Sequence, residues 1–199
     1  MAHTEMQQPL HGKAALNATV VCVPGLRDRM PGHWQELLCE KLPGSRIVAP
    51  LQENKLSLAA RVENLDRTLT SVDGPVVLVA HSAGTIITVH WAARHRRDNI
   101  KGALLAAPVD FETPLPSGSP TLDELRAQGW LPVPKEPLWF PSIVAASAND
   151  PVGPLERVKA MAGAWGSKLV KLGEVGHLVP ATGYGDWPDA MRFIGELST

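Results

Sequence analysis

Two hydrophobic rhythms alternate along this chain. Largely apolar runs without strict alternation, which suit strands buried on both faces, cover residues 18–24, 75–80, 100–107 and 142–147, with shorter runs at 46–49 and 168–172. Helical spacing fills the intervals. Residues 33–42 read as a helix ended by Pro43-Gly44. From Ser57, a residue suited to cap a helix, Leu58, Val62, Leu65, Leu69 and Val72 recur at steps of four and three and define one buried face. Residues after 82 carry Ile86, Ile87 and Trp91 on an inner side. Pro154 opens a helix whose face is Leu155, Val158, Ala162 and Trp165, with Gly166 just past its end. A last helix from about Pro188 is expected to pack through Met191, Ile194 and Leu197. Strands alternating with helices throughout predict an α/β fold: a mainly parallel sheet with helices on both faces.

That pattern sorts the chemistry, because ligands of such sheets bind at the carboxyl ends of the strands. The run at 75–80 leads into Ala80-His81-Ser82-Ala83-Gly84 and then a helical segment. Small residues two before and two after a serine, between strand and helix, allow the sharp turn that holds the hydroxyl clear of the sheet. Ser82 is the candidate nucleophile. Asp150, in Ser147-Ala-Asn-Asp-Pro151, follows the penultimate strand, and His177 follows the last. The order serine, aspartate, histidine is that of α/β-hydrolases, with His177 as the base and Asp150 as its orienting acid. Asp110 also follows a strand and is the rival acid. Among the other histidines, His81, His90 and His95 are not placed to take a proton from Ser82, and His33 suits packing in a first helical turn. The amide of Ala83 and an amide of the first loop, Leu26 by position, are the expected oxyanion donors.

Composition narrows the partners. With 199 residues the chain is long enough for one full core. We divide it into a flexible N-terminal tail over 1–17 and a single domain over 18–199. A formal net charge of -1 and a pI near 6.7 give no reason to expect nucleic acid or an anionic membrane. No apolar run approaches the ~20 residues of a membrane span. Cys22 and Cys39 suit a reducing compartment better than a disulfide framework, so the expected location is cytoplasmic. There is no His-Glu-x-x-His or Cys-x-x-Cys pair, and the expectation is no metal and no cofactor. Gly183-Tyr-Gly-Asp-Trp-Pro188 lacks the third glycine of a dinucleotide loop and is read as a wall of the site.

Taken together, Val23-Pro-Gly25, His33-Trp-Gln35, Ala80-His-Ser-Ala-Gly84, Ala107-Pro-Val-Asp110, Ala146-Ser-Ala-Asn-Asp-Pro151, Ala164-Trp-Gly166, Gly176-His177 and the 183–188 stretch resemble the small serine hydrolases of the retinoblastoma-binding protein 9 type. The likeness runs over about 20–187. It implies a compact α/β-hydrolase without a large cap domain, with Ser82, Asp150 and His177 as its triad, acting on esters or amides. Departures are Arg27-Asp28-Arg29 in the first loop, where the family usually has small residues, and Val179 and Thr182 after the histidine. The family name refers to a Leu-x-Cys-x-Glu binding motif; the nearest stretch here, Leu37-Leu38-Cys39-Glu40-Lys41, has lysine in place of the final glutamate.

The expected function is hydrolysis of small carboxylic esters, with thioesters or amides as further candidates, through an acyl-enzyme on Ser82. The alternatives are a protein-interaction module on the same fold and an acyltransferase using the same triad. The partner is a small acyl substrate; oligomeric state is not indicated. The connection over 108–141 is roughly thirty residues, well beyond the usual few between elements. Its Trp130, Leu131 and Trp139, with Tyr184 and Trp187 opposite, are the expected lining of an apolar acyl pocket, against the alternative that they complete the core.

Overall fold

The computed structural model describes residues 16–199, so the tail expected over 1–17 falls almost wholly outside the described residues. Six strands, β1 (Thr19–Val23), β2 (Arg46–Ile47), β3 (Val76–His81), β4 (Ile100–Ala106), β5 (Ser142–Ala146) and β6 (Lys168–Lys171), form one sheet in the order β2-β1-β3-β4-β5-β6. Every pairing is parallel. The interleaved helices are α1 (Trp34–Lys41), α2 (Leu58–Thr70), α3 (Ala83–Ala92), α4 (Leu122–Ala127), α5 (Leu155–Ala164) and α6 (Asp189–Leu197). The expected α/β-hydrolase class therefore holds, and among the described residues no cap domain is inserted. Among the described residues no helix is long and apolar enough to cross a membrane.

Strand side chains alternate between two cores, as the period of two requires. Val21, Leu78, Ala80, Leu105 and Val144 join α2, α3 and α5 on one face. Val20, Val77, Val79, Leu104 and Ile143 join α1 and α6 on the other. Each large apolar side chain buried here contributes on the order of 1.5–3 kcal/mol. The cap expected at Ser57 forms, and a second one is found in the 108–141 connection. Ser57 Oγ accepts from the Ala60 amide at 3.3 Å. Thr121 and Glu124 form a reciprocal capping box at the start of α4. One expectation fails: α6 packs through Ala190, Phe193, Ile194 and Leu197, and Met191 is 36% exposed. Those four residues centre the buried stripe, and at about 100° per residue position 191 falls to its side.

Helix α3 is buried on all sides rather than along one stripe. The sheet lies beneath it and α2 beside it. The 108–141 connection closes over the rest, where the Trp130 carbonyl accepts from His90 Nε2 at 3.1 Å and Trp139 Nε1 donates to the Ala92 carbonyl at 3.0 Å. Gly84 lets the helix start this close to the sheet, since a Cβ there would stand 2.0 Å from the Val23 carbonyl oxygen.

Candidate active site

Ser82 links β3 to α3 with φ 57° and ψ -127°, a strained conformation for a residue other than glycine. Neighbouring backbone over-determines it. The Ser82 amide donates to the Ala106 carbonyl at 3.1 Å, and the Ser82 carbonyl accepts from the Thr85 amide at 3.0 Å and the Thr85 hydroxyl at 2.7 Å. The Ser82 side chain consequently projects from the carboxyl edge of the sheet.

His177 and Asp150 meet it there. His177 Nε2 stands 2.8 Å from Ser82 Oγ, and His177 Nδ1 stands 2.7 Å from Asp150 Oδ2. With the Nδ1 proton donated to the carboxylate, Nε2 is left to accept the serine proton, the arrangement that acyl transfer by a serine needs. Asp150 is buried, and its other oxygen accepts from the Val152 amide at 2.9 Å. Asp110 is equally buried but faces elsewhere. Arg157 donates to it at 2.7 and 3.1 Å, the Thr113 hydroxyl at 2.9 Å and the Glu112 amide at 3.1 Å. Burial pushes the Asp110 carboxyl up, yet these donors outweigh it and hold the group below the ordinary carboxylate range.

Several supporting residues carry no sequence motif. His81 is buried between His33 and His177, its ring tilted against both at centroid distances of 4.6 and 5.0 Å. Burial above all, then the neighbouring His177 and His33, holds its pKa well below the usual value. It is neutral, and because a carbonyl can only accept, its Nε2–H donates to the His177 carbonyl at 2.8 Å. The loop before His177 is held by Asn149 Oδ1, which accepts from the Gly176 amide at 2.7 Å, and by Ser147 Oγ, which accepts from the Val175 amide at 3.2 Å. His33 caps α1, its Nδ1 accepting from the Gln35 amide at 3.3 Å. Its burial lowers its pKa to about 4.

The first loop passes directly over the serine: a Cβ on Gly25 would stand 3.1 Å from Ser82 Cβ. Among the described residues neither the Leu26 nor the Ala83 amide has a protein acceptor, so both are free to donate toward a substrate. The loop is clamped from α2 by Arg61. That buried guanidinium donates to Asp28 Oδ1 at 3.0 Å, the Lys55 carbonyl at 2.7 Å and the Leu26 carbonyl at 3.4 Å. Asp28 itself adopts φ 55°. The charged residues that depart from the family pattern thus include half of a buried ion pair. Arg29 is exposed and pairs with Glu36 at 2.8 Å.

The expected acyl pocket needs correction. Trp130 is fully buried, its Nε1 donating to the Leu56 carbonyl at 2.7 Å and its ring edge-on to Phe111 at 5.1 Å. Trp139 is fixed to Ala92, at the end of α3 remote from Ser82. Trp187 lies in the core edge-on to Trp34 at 4.9 Å. In each case the indole, buried in Trp130 and Trp187 and partly so in Trp139, found a carbonyl or an aromatic neighbour against the core. Leu131 is half-buried in an open depression with Glu112, Arg126 and Pro132. Tyr184 is half-buried on the loop following His177, its amide donating to the Val179 carbonyl at 3.2 Å. Among the described residues no group of three or more His, Cys, Asp or Glu side chains could hold a metal ion.

Known proteins share this arrangement of chain. A YdeN-like hydrolase from Pectobacterium atrosepticum is 29% identical, with a TM-score of 0.76 over 92% of this chain and 91% of that one. The ydeN gene product of B. subtilis (18% identical, TM-score 0.64, 90% and 98% covered) has the same fold. So does a thermophilic esterase from Thermogutta terrifontis (16% identical, TM-score 0.59, 92% and 91% covered). No curated protein matches the sequence. The serine hydrolase family matches residues 20–196. With that match running from the first strand to the last helix, the chain belongs to the serine hydrolase family.

Proposed function

We propose that the protein hydrolyses small carboxylic esters through an acyl-enzyme on Ser82, with His177 as general base and then acid and Asp150 as its orienting partner. The observation that carries this reading is the unbroken hydrogen-bonded run from Ser82 Oγ through His177 to Asp150. Ser82 Oγ attacks the ester carbonyl while its proton passes to His177 Nε2. Asp150 fixes the ring tautomer and stabilises the imidazolium. The amides of Leu26 and Ala83 receive the oxyanion. His177 then protonates the departing alkoxide, and a water molecule activated by the same nitrogen releases the acid. Water is the natural acceptor in a site with no cap domain over it.

The finer assignment to carboxylesterases of the retinoblastoma-binding protein 9 type rests on the motif set from Val23-Pro-Gly25 to Gly183–Pro188. Tyr184, on the loop that follows His177, is the aromatic we assign to the acyl side of the substrate.

The test is covalent. Incubation with a fluorophosphonate probe should label Ser82 alone, with short p-nitrophenyl esters turned over by the same preparation and not by Ser82→Ala. Adduct at another residue, or folded protein that neither labels nor turns over esters, overturns the assignment. In the latter case the interaction module becomes the better reading.

A further inference from the structure

We propose that Cys22 and Cys39 form a redox-active dithiol, a modification site that peroxides convert into an intramolecular disulfide. The pair is brought together by tertiary structure, since Cys22 lies in β1 and Cys39 in α1. Their sulfurs are 3.2 Å apart, with the thiols hydrogen-bonded to each other. Closing to a disulfide takes a sulfur approach of about 1.2 Å from there. The two sites differ as an attacking and a resolving thiol should. Cys22 is fully buried, whereas Cys39 reaches the surface.

The surroundings divide the roles further. The hydrogen bond from Cys22 stabilises a Cys39 thiolate, more than offsetting the effect of burial. Ser45 and Arg29 add to that, Glu36 opposes it, and Cys39 titrates at about 7. About half of it is thiolate at neutral pH, against a few per cent for an ordinary cysteine. Cys22 moves the other way, raised by its bond to Cys39 and by burial, and keeps its proton.

The chemistry balances with hydrogen peroxide as the oxidant. The Cys39 thiolate attacks one peroxide oxygen, forming an S–O bond as the O–O bond breaks and hydroxide leaves. Cys22 Sγ then attacks the Cys39 sulfur. The S–S bond forms, the S–O bond breaks, and the departing hydroxide takes the Cys22 proton as water. Two thiols lose two electrons and one peroxide is reduced to two waters. Exchange with a thiol reductant reverses the step. None of this involves Ser82, so the inference stands apart from the proposed esterase activity.

The experiment treats reduced, full-length protein with a small excess of hydrogen peroxide, denatures it and alkylates with N-ethylmaleimide before intact-mass analysis. Wild type should lose two hydrogens and take no adduct, and phosphine reduction should restore two alkylation sites. Cys22→Ala should leave Cys39 as a sulfenic acid that dimedone traps at least tenfold more than in wild type. Cys39→Ala should leave Cys22 alkylatable after the same treatment. Two adducts on treated wild type, or disulfides formed only between molecules, would overturn the proposal. The wild-type measurement decides it even if the buried Cys22 substitution impairs folding.

Discussion

The loops that follow β4 and β5 start side by side at the carboxyl edge of the sheet, and each buries an aspartate. After β4, Asp110 is surrounded by Arg157, Thr113 and the Glu112 amide. After β5, Asp150 receives one amide and His177. A carboxylate taken out of water must be compensated in both places. The difference lies in what does the compensating. A guanidinium and a hydroxyl saturate Asp110 and make it a strut for the 108–141 connection. A single imidazole leaves Asp150 coupled to a group that can change its charge. Burial and position at the sheet edge are therefore common to structural and chemical acids, and the partner set separates them.

The largest test of that contrast exchanges charge for amide at each site. Asp150→Asn should lower kcat by about 10⁴-fold, the wrong histidine tautomer being favoured, with little change in melting temperature. Asp110→Asn should do the reverse, costing about 2–3 kcal/mol of stability by chemical denaturation while kcat stays near wild type. If both lose activity equally, the two loops are one functional unit and the contrast fails.

Next in size is the connection itself. Trp130→Ala should cost about 3–5 kcal/mol in unfolding free energy, since it empties a core site and strands the Leu56 carbonyl. The acyl-length profile of kcat/KM should keep its shape. A changed profile at unchanged stability would return Trp130 to the pocket.

Acid sharpens the comparison from the other side of the site. His33 titrates at about 4 when folded and near 6.5 when unfolded. The unfolded chain binds the proton more readily, so the stability His33 contributes is present above pH 6.5 and is lost as pH falls toward 4. The loss is on the order of 2–3 kcal/mol. Urea denaturation between pH 7 and 4 should show at least this loss, since His81 and His90 are shifted the same way, and His33→Asn, which keeps a capping acceptor, should reduce it by the His33 share.

The smallest effect is expected at the clamp on the first loop. Arg61→Met and Asp28→Asn should each lower kcat several-fold with KM nearly unchanged, because a loosened Leu26 amide weakens the oxyanion site more than substrate binding. The double variant should lose little more than either single one. Additive losses would mean that the ion pair and the loop act separately.

Reading the chain by its residues succeeded where backbone geometry dictates residue type. Gly84 and Ala80 mark a turn that larger side chains would block, Ser57 caps a helix, and short apolar runs bounded by turn residues are strands with both faces covered. It failed where the meaning of a residue depends on a distant neighbour. Nothing near Trp130 in the sequence says that its indole will find the Leu56 carbonyl. Asp28 and Arg61 are 33 positions apart, and His81 acquires its role only because β3 lies beneath the loop that carries His177. Met191 lies off the buried face for a simpler reason: Ala190, Phe193, Ile194 and Leu197 centre the stripe, and at about 100° per residue position 191 falls to its side.

The site residues also differ in the depth of their foundations. Ser82 stands between a strand and a helix that are buried along their whole length. His177 follows β6, an edge strand of four residues with lysines at both ends facing solvent, and reaches Ser82 from a loop held by a few hydrogen bonds to Ser147, Asn149 and His81. Warming frays edges before centres. On the proposed mechanism the nucleophile will therefore outlive its base: inactivation would belong to the opening of one margin of the sheet, and a protein that had stopped turning over esters would still hold most of its fold.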